Sequence, residues 1–156
     1  MYSFLKTHNK QKILIFASTC KQVRFIYEAF RKFRLATPLY ELQGHQNQKK
    51  RMAIYFTFCE KKYGILVCTN IASRGLDFPM VDWVVQLDIP EDVETYVHRV
   101  GRTARFKYEG KSLAFVADHE LAFVDNLKAK NIKIHKITQN HEKYFRIDSS
   151  LQSICS

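Results

Sequence analysis

Glycine and proline are scarce in this chain, 5 and 3 of 156 residues, while 46% of the sequence is hydrophobic and 26% charged. That composition excludes collagen-like repeats, low-complexity scaffolding and disorder, and the length fits one compact domain able to bury a core. Long apolar runs are also missing: none exceeds half a dozen residues, so no segment is suited to span a bilayer. Lys6, Lys10 and Lys12 interrupt the start where a signal peptide would need its apolar stretch. The four cysteines, Cys20, Cys59, Cys68 and Cys155, form no CxxC pair and have no histidine at ligand spacing. Neither a disulfide framework nor a zinc site is indicated, no metal ligands are assigned, and the cysteines are expected to be small core residues. The expectation is a soluble, intracellular, monomeric chain with no membrane partner.

Acidic residues are few where basic ones are many. The formal net charge is +10, and all of it lies in residues 1–62, which hold 13 basic and 3 acidic side chains against 12 of each in residues 63–156. Such asymmetry fits a surface facing a polyanion, although lysines and arginines on a solvated face would look the same by count.

Hydrophobic patterning supplies the architecture. Short β-rich apolar runs predict strands at Ile13–Ala17, Leu39–Leu42, Ile65–Cys68, Trp83–Leu87, Ser112–Val116 and near Ile132–Ile137. Helices are expected at Lys21–Phe33, from about Gln46 to Glu60, as a short turn near Ala72, from about Asp92 to Val100, and at Glu120–Lys130. Ser18 and Thr19 are placed to cap the first of these. Strands alternating with helices imply right-handed crossovers, hence an α/β domain of three layers: a mostly parallel sheet with helices on both faces. Ligands in such folds meet the loops at the carboxyl ends of the strands, here Ser18-Thr19, Gly44-His45, Thr69-Asn70 and Asp88-Ile89-Pro90. The domain is expected to occupy residues 1–137. Residues 138–156, with Tyr144, Ile147, Leu151 and Ile154 at helical spacing, form a terminal helical extension in this reading.

The densest chemical constellation is His98-Arg99-Val100-Gly101-Arg102-Thr103-Ala104-Arg105. Three arginines and a histidine in eight residues are costly to bury unpaired, so they are expected to face solvent or an anion. Helical continuation would set His98, Arg102 and Arg105 on one face, and Gly101 would let a partner approach the backbone. Arginine suits phosphate because its planar fork donates two permanently charged hydrogen bonds. A basic helix end answering the helix dipole is the duller reading, and it needs neither the glycine nor three arginines.

HRVGRTAR resembles motif VI of the DEAD-box RNA helicases, and other segments match that family in order. Ile13-Leu14-Ile15-Phe16-Ala17-Ser18-Thr19 resembles motif IV and Gln48-Lys49-Lys50-Arg51 the QxxR element. Residues 65–77, ILVCTNIASRGLD, resemble motif V, and residues 84–90, VVQLDIP, the strand and loop before motif VI. The resemblance spans roughly residues 5–137 and implies the carboxyl-terminal RecA-like lobe of a two-lobe, ATP-dependent motor. It implies that Arg102 and Arg105 reach the γ-phosphate of ATP, that Asp77 bonds the ribose with Gly75 allowing close backbone packing beside it, and that His98 and Arg99 couple the nucleotide site to the first lobe and to motif V. Ser18, Thr19, Gln48, Arg51, Thr69 and Arg74 are implied to contact the RNA backbone, the amides of Ser18 and Thr19 at a helix amino terminus that favours an anion. Backbone contacts carry no sequence information, so RNA binding would be sequence-tolerant.

A GxxxxGK[ST] loop and an Asp-Glu-Ala-Asp box are both absent. The phosphate cradle and the Mg-holding carboxylates would therefore stand on an amino-terminal RecA-like lobe of the same polypeptide, and this chain alone should not hydrolyse ATP. Asn70 stands where the family commonly has aspartate, and Gln43 where it commonly has histidine. Residues 78–83 and 90–92 are similar to the branch acting in nucleolar ribosomal RNA processing, which implies pre-ribosomal protein partners and a nuclear or nucleolar setting; residues 140–154 are similar to the start of that branch's extension. Two other readings stand beside this one: a non-catalytic RNA-binding or adaptor module built on the same lobe, and a DNA-directed helicase of the wider superfamily. Intact Arg102 and Arg105 argue against the first, and the HRVGRTAR spelling against the second. Trp83 and the phenylalanines are expected in the core, and His45, His119, His135 and His141 on the surface.

Overall fold

The computed structural model describes residues 1–103 and 110–138. Five strands, β1 (Lys12–Phe16), β2 (Leu39–Leu42), β3 (Gly64–Cys68), β4 (Trp83–Gln86) and β5 (Lys111–Ala114), pair in parallel in the order β2-β3-β1-β4-β5. Six helices accompany them among the described residues: α1 (Tyr2–Thr7), α2 (Cys20–Lys32), α3 (Gln48–Glu60), α4 (Asn70–Ser73), α5 (Val93–Val100) and α6 (Leu121–Ala129). No helix among these residues is long and apolar enough to cross a membrane.

Because side chains alternate across a strand, β1, β3 and β4 feed two cores. Leu14, Phe16, Leu66, Cys68 and Val84 face one side, where they pack with Phe58 of α3, Ala72 of α4, Phe78 and Val81. Ile13, Ile15, Ile65, Val67 and Val85 face the other, beneath Leu5 of α1 and Val23, Ile26 and Phe30 of α2. The expected three-layer parallel architecture is therefore the one observed. Local chemistry sets the helix starts. The Thr19 hydroxyl accepts from the Gln22 amide (3.2 Å) while the Gln22 side chain accepts from the Thr19 amide (2.9 Å), a reciprocal cap on α2. Asn47 caps α3 through the Lys50 amide (2.8 Å), which moves its start from the expected Gln46 to Gln48, and Asp92 caps α5 through the Thr95 amide (2.7 Å).

The structure corrects several expectations. No strand forms at residues 132–137: Asn131 takes a left-handed backbone (φ 59°), the Ile132 amide returns to the Leu127 carbonyl to close α6, and Ile137 remains 66% exposed. Helix α1, too short for a periodic signal, buries Leu5 and sets Phe4 edge-on to Trp83 with centroids 4.9 Å apart. Trp83 is only half-buried, and Phe25 and Phe56 are exposed rather than core. Of the cysteines, Cys68 is buried while Cys20 and Cys59 are half-buried. Arg105, Cys155, His141 and the extension from residue 139 onward lie outside the described residues.

Candidate functional site

The chain leaves β1 toward β2 on one side and later enters β4 on the other, so loops from distant segments meet at the carboxyl ends of β3, β1 and β4. Phe16 at the end of β1 registers with Cys68 of β3 and Gln86 of β4, which lines up Ser18, Thr69-Asn70 and Asp88 just beyond the sheet.

Arg99 of α5 sits at the centre of this edge. It is 3% exposed, in contrast to the expectation that the three arginines face solvent or an anion. Its Nε donates to Asn70 Oδ1 (2.7 Å), its Nη1 to Gln86 Oε1 (3.2 Å) and to the Asp88 carbonyl (2.7 Å), and its guanidinium lies 5.1 Å over the Phe16 ring. Three oxygen acceptors and an aromatic face make burial tolerable for a fixed charge. Burial lowers the Arg99 pKa, with Asp88 and Asp92 among the charges that oppose the shift. Beside it, burial pushes the Cys68 thiol up to about 12.

Beyond Arg99 the expected helical face does not continue. Helix α5 ends at Val100, and the chain tightens so that the Arg102 amide bonds the Arg99 carbonyl (3.2 Å) and the Thr103 amide that of Val100 (3.0 Å). The buried Thr103 hydroxyl donates to the Val81 carbonyl (2.6 Å), which pins the turn against the loop before β4. Arg102 is half-buried there, its Nη1 3.4 Å from the Leu76 carbonyl, so it lies against the loop carrying Gly75 and Asp77. His98 is exposed on the last turn of α5. Gly75 has a left-handed backbone (φ +72°), and among the described residues nothing lies within 4 Å of where a Cβ would stand. The positive φ is itself a reason for glycine at this position.

Helix α4 gathers the second group. Thr69, a buried residue, caps it, its hydroxyl accepting from the Ala72 amide (3.3 Å). Arg51 of α3 donates through Nη2 to the Ala72 carbonyl (2.9 Å) and through Nη1 to Gln48 Oε1 (3.4 Å). Exposed Arg74 follows as the residue that ends α4. Ser18 and Thr19 are exposed on the β1–α2 turn, but their amides are engaged: that of Ser18 donates to Asp88 Oδ2 (3.0 Å) and that of Thr19 to Gln22. The expected pair of amides open to an anion is therefore not present. The basic half is likewise less uniform than its count suggests, since Arg24 pairs with Glu28 and Glu41, Arg31 pairs with Glu28, and Lys12 is buried with its Nζ on the Cys59 carbonyl (2.8 Å).

The two groups thus occupy one edge of the sheet, joined through Arg99 and Asn70. Sequence reasoning gave Gln86 no role and placed Asp88 in a strand-end loop without assigning it a partner. The available signal was a glutamine inside the otherwise apolar strand WVVQ, because a polar side chain on a buried strand needs a partner. Among the described residues no group of three or more His, Cys, Asp or Glu side chains could hold a metal ion.

Residues 1–107 match the family model for the helicase conserved C-terminal domain. Over 99% of its length the chain is 45% identical to the ATP-dependent RNA helicase dbp4 of Schizosaccharomyces pombe, covering 21% of that protein. It is 43% identical to the probable ATP-dependent RNA helicase DDX10 of Homo sapiens, again over 99% of the chain and 18% of the relative. The chain spans about a fifth of the length of these curated relatives. Among solved structures it is similar to Mss116p DEAD-box helicase domain 2 bound to an RNA duplex, with a TM-score of 0.78, 36% identity, and coverage of 91% of this chain and 58% of that one.

Proposed function

Since this chain belongs to the helicase conserved C-terminal domain family, on its DEAD-box RNA helicase branch, we propose that it is the ATP- and RNA-facing second lobe of a two-lobe, ATP-dependent RNA helicase. The observation that carries the reading is the placement of Arg102 against the Gly75–Asp77 loop at the same sheet edge where Arg99 grips Asn70. One segment thereby touches both a prospective nucleotide surface and a prospective RNA surface. In support, the similar proteins are named as ATP-dependent RNA helicases, and the Mss116p domain is described as bound to an RNA duplex.

In this mechanism Arg102 and Arg105 donate to the γ-phosphate of ATP, where fixed guanidinium forks stabilise charge as it develops in transfer. Asp77 holds the ribose from the turn that Gly75 makes possible. His98 faces the first lobe, and Arg99 carries the state of the nucleotide edge to Asn70 and helix α4. Arg51, Gln48 and Arg74, with the Ser18 hydroxyl and the Thr19 hydroxyl once it leaves Gln22 Oε1 (3.1 Å), hold the RNA backbone, while Thr69 keeps α4 in place by capping it. Mg and the phosphate cradle would be held by an amino-terminal lobe, because this sequence carries neither a GxxxxGK[ST] loop nor an Asp-Glu-Ala-Asp box. Clamping both lobes on a bent strand would strain a local duplex, and hydrolysis would release it. The similarity to the dbp4 and DDX10 proteins, with the resemblance at residues 78–83 and 90–92, supports work on ribosomal RNA in the nucleolus alongside pre-ribosomal proteins.

The test is RNA-stimulated ATP turnover by the protein containing both lobes. Arg102→Ala and Arg105→Ala should each lower it by roughly three orders of magnitude or more, the scale of an arginine finger. Lysine at either position should rescue poorly, because it keeps charge and loses the fork. Near-normal turnover in both alanine variants would sink the assignment.

A further inference from the structure

Asp88 is the residue whose two functional groups bridge the two halves of this edge. Its carboxylate Oδ2 accepts the Ser18 amide at 3.0 Å, across 70 positions of sequence, and its carbonyl accepts Arg99 Nη1 at 2.7 Å. The Leu87 amide, bonded to the Phe16 carbonyl at 2.9 Å, holds the preceding residue in the sheet, so Asp88 projects from a fixed point. We propose that Asp88 is a positioning residue that fixes the β1–α2 turn, with the Ser18 and Thr19 hydroxyls, in one body with Arg99. The proposal rests on the RNA-facing role given above to that turn.

The physical argument turns on what each bond supplies. The β1–α2 turn is exposed, and the Ser18 amide precedes the capping box of α2, so local bonds alone do not tie it to the rest of the edge. A backbone amide donating to a carboxylate is a charge-assisted bond, stronger than a neutral one. The same carboxylate stands near the buried Arg99 guanidinium, whose direct partners, Asn70 Oδ1, Gln86 Oε1 and the Asp88 carbonyl, are all neutral oxygens. Asp88 therefore serves the turn through its side chain and the arginine through its backbone. Substitution of the side chain releases the turn while leaving the Arg99 bond to the carbonyl available.

The experiment uses the protein containing both lobes, with Asp88→Ala and Asp88→Asn, a single-stranded RNA of mixed sequence, and ATP. Asp88→Ala should speed amide hydrogen exchange at Ser18 about tenfold and raise the RNA concentration for half-maximal ATP turnover by roughly the same factor, the effect of losing one hydrogen bond to a charged group. Turnover at saturating RNA should change less than about twofold, and nucleotide affinity without RNA should stay as it was. Asp88→Asn retains a neutral acceptor and should show the same split at roughly two- to threefold, a rescue that a purely structural role does not give. If Asp88→Ala fails to fold, Asp88→Asn decides by the same two readouts. Unchanged Ser18 exchange, or half-saturation and maximal turnover that fall together in step with lost stability, would overturn the positioning role. Lack of RNA-stimulated turnover in the unsubstituted protein would overturn the functional reading instead, while Ser18 exchange still decides whether Asp88 holds the turn.

Discussion

Two arginines three residues apart in one motif should respond oppositely to substitution. Consider Arg99→Met, which keeps an unbranched apolar stem and removes the guanidinium that lies over the Phe16 ring. Three acceptors then lose their donor: Asn70 Oδ1, Gln86 Oε1 and the Asp88 carbonyl. Asn70 and Asp88 are half-buried and recover water, so their loss is small, but Gln86 is 0% exposed. Its Nε2 already has no hydrogen-bond partner among the described residues, which leaves the whole side-chain amide unsatisfied once Arg99 is gone. At about 1–3 kcal/mol for a buried orphaned group, partly offset by the desolvation that Arg99 no longer suffers, the net loss is about 1–2 kcal/mol. For a domain of this length that corresponds to a fall in Tm of about 2–8 °C. Arg102→Ala, by contrast, gives up a half-buried side chain with one long contact to the Leu76 carbonyl and should lose about 0.5 kcal/mol or less. Urea melts of this chain, followed by tryptophan fluorescence and far-ultraviolet circular dichroism and compared at equal m-value, measure both. The reasoning fails if Arg99→Met melts with the parent chain, or if Arg102→Ala loses as much as Arg99→Met.

Two further outcomes follow from other positions. Gly75→Ala meets no neighbour among the described residues, so its loss should be mainly backbone strain, about 1–2 kcal/mol in a denaturant melt, with Gly75→Asn recovering part because asparagine tolerates the left-handed region; an alanine variant of full stability would show that the turn does not need φ above zero. In alkylation at pH 8 followed by mass spectrometry, half-buried Cys20 and Cys59 should react while Cys68 stays protected until unfolding, since burial raises its thiol from 9.0 to about 12. The folded state then binds that proton more tightly than the unfolded one, so the contribution is complete below about pH 9 and is lost as pH rises toward 12. Alkaline unfolding should accordingly be shallower in Cys68→Ala, and identical titration curves for the two chains would contradict it.

The elements that sequence alone determined are those whose causes are local. The wholly apolar runs at Ile13–Ala17 and Ile65–Cys68 could only be strands covered on both faces, and β1 and β3 are buried at every position. Thr19 announced a helix start because a cap's partners lie three residues away. The order of motifs placed the chain in its family for the same reason, since each motif is a contiguous string. Where a polar group's partner lay far along the chain, the sequence offered residue types and no pairings. Only the folded sheet brings Asp88 to the Ser18 amide and so removes that amide from anion binding, and only its register sets Gln86 and Asn70 around Arg99, turning an arginine expected in solvent into a buried joint. The β-rich run at Ile132–Ile137 was a local signal that the fold overrides, because the left-handed Asn131 turns the chain at the end of α6. Hydrophobic period and capping are properties of neighbours in sequence; hydrogen-bond satisfaction is a property of neighbours in space, and the chemistry of this edge depends on the second.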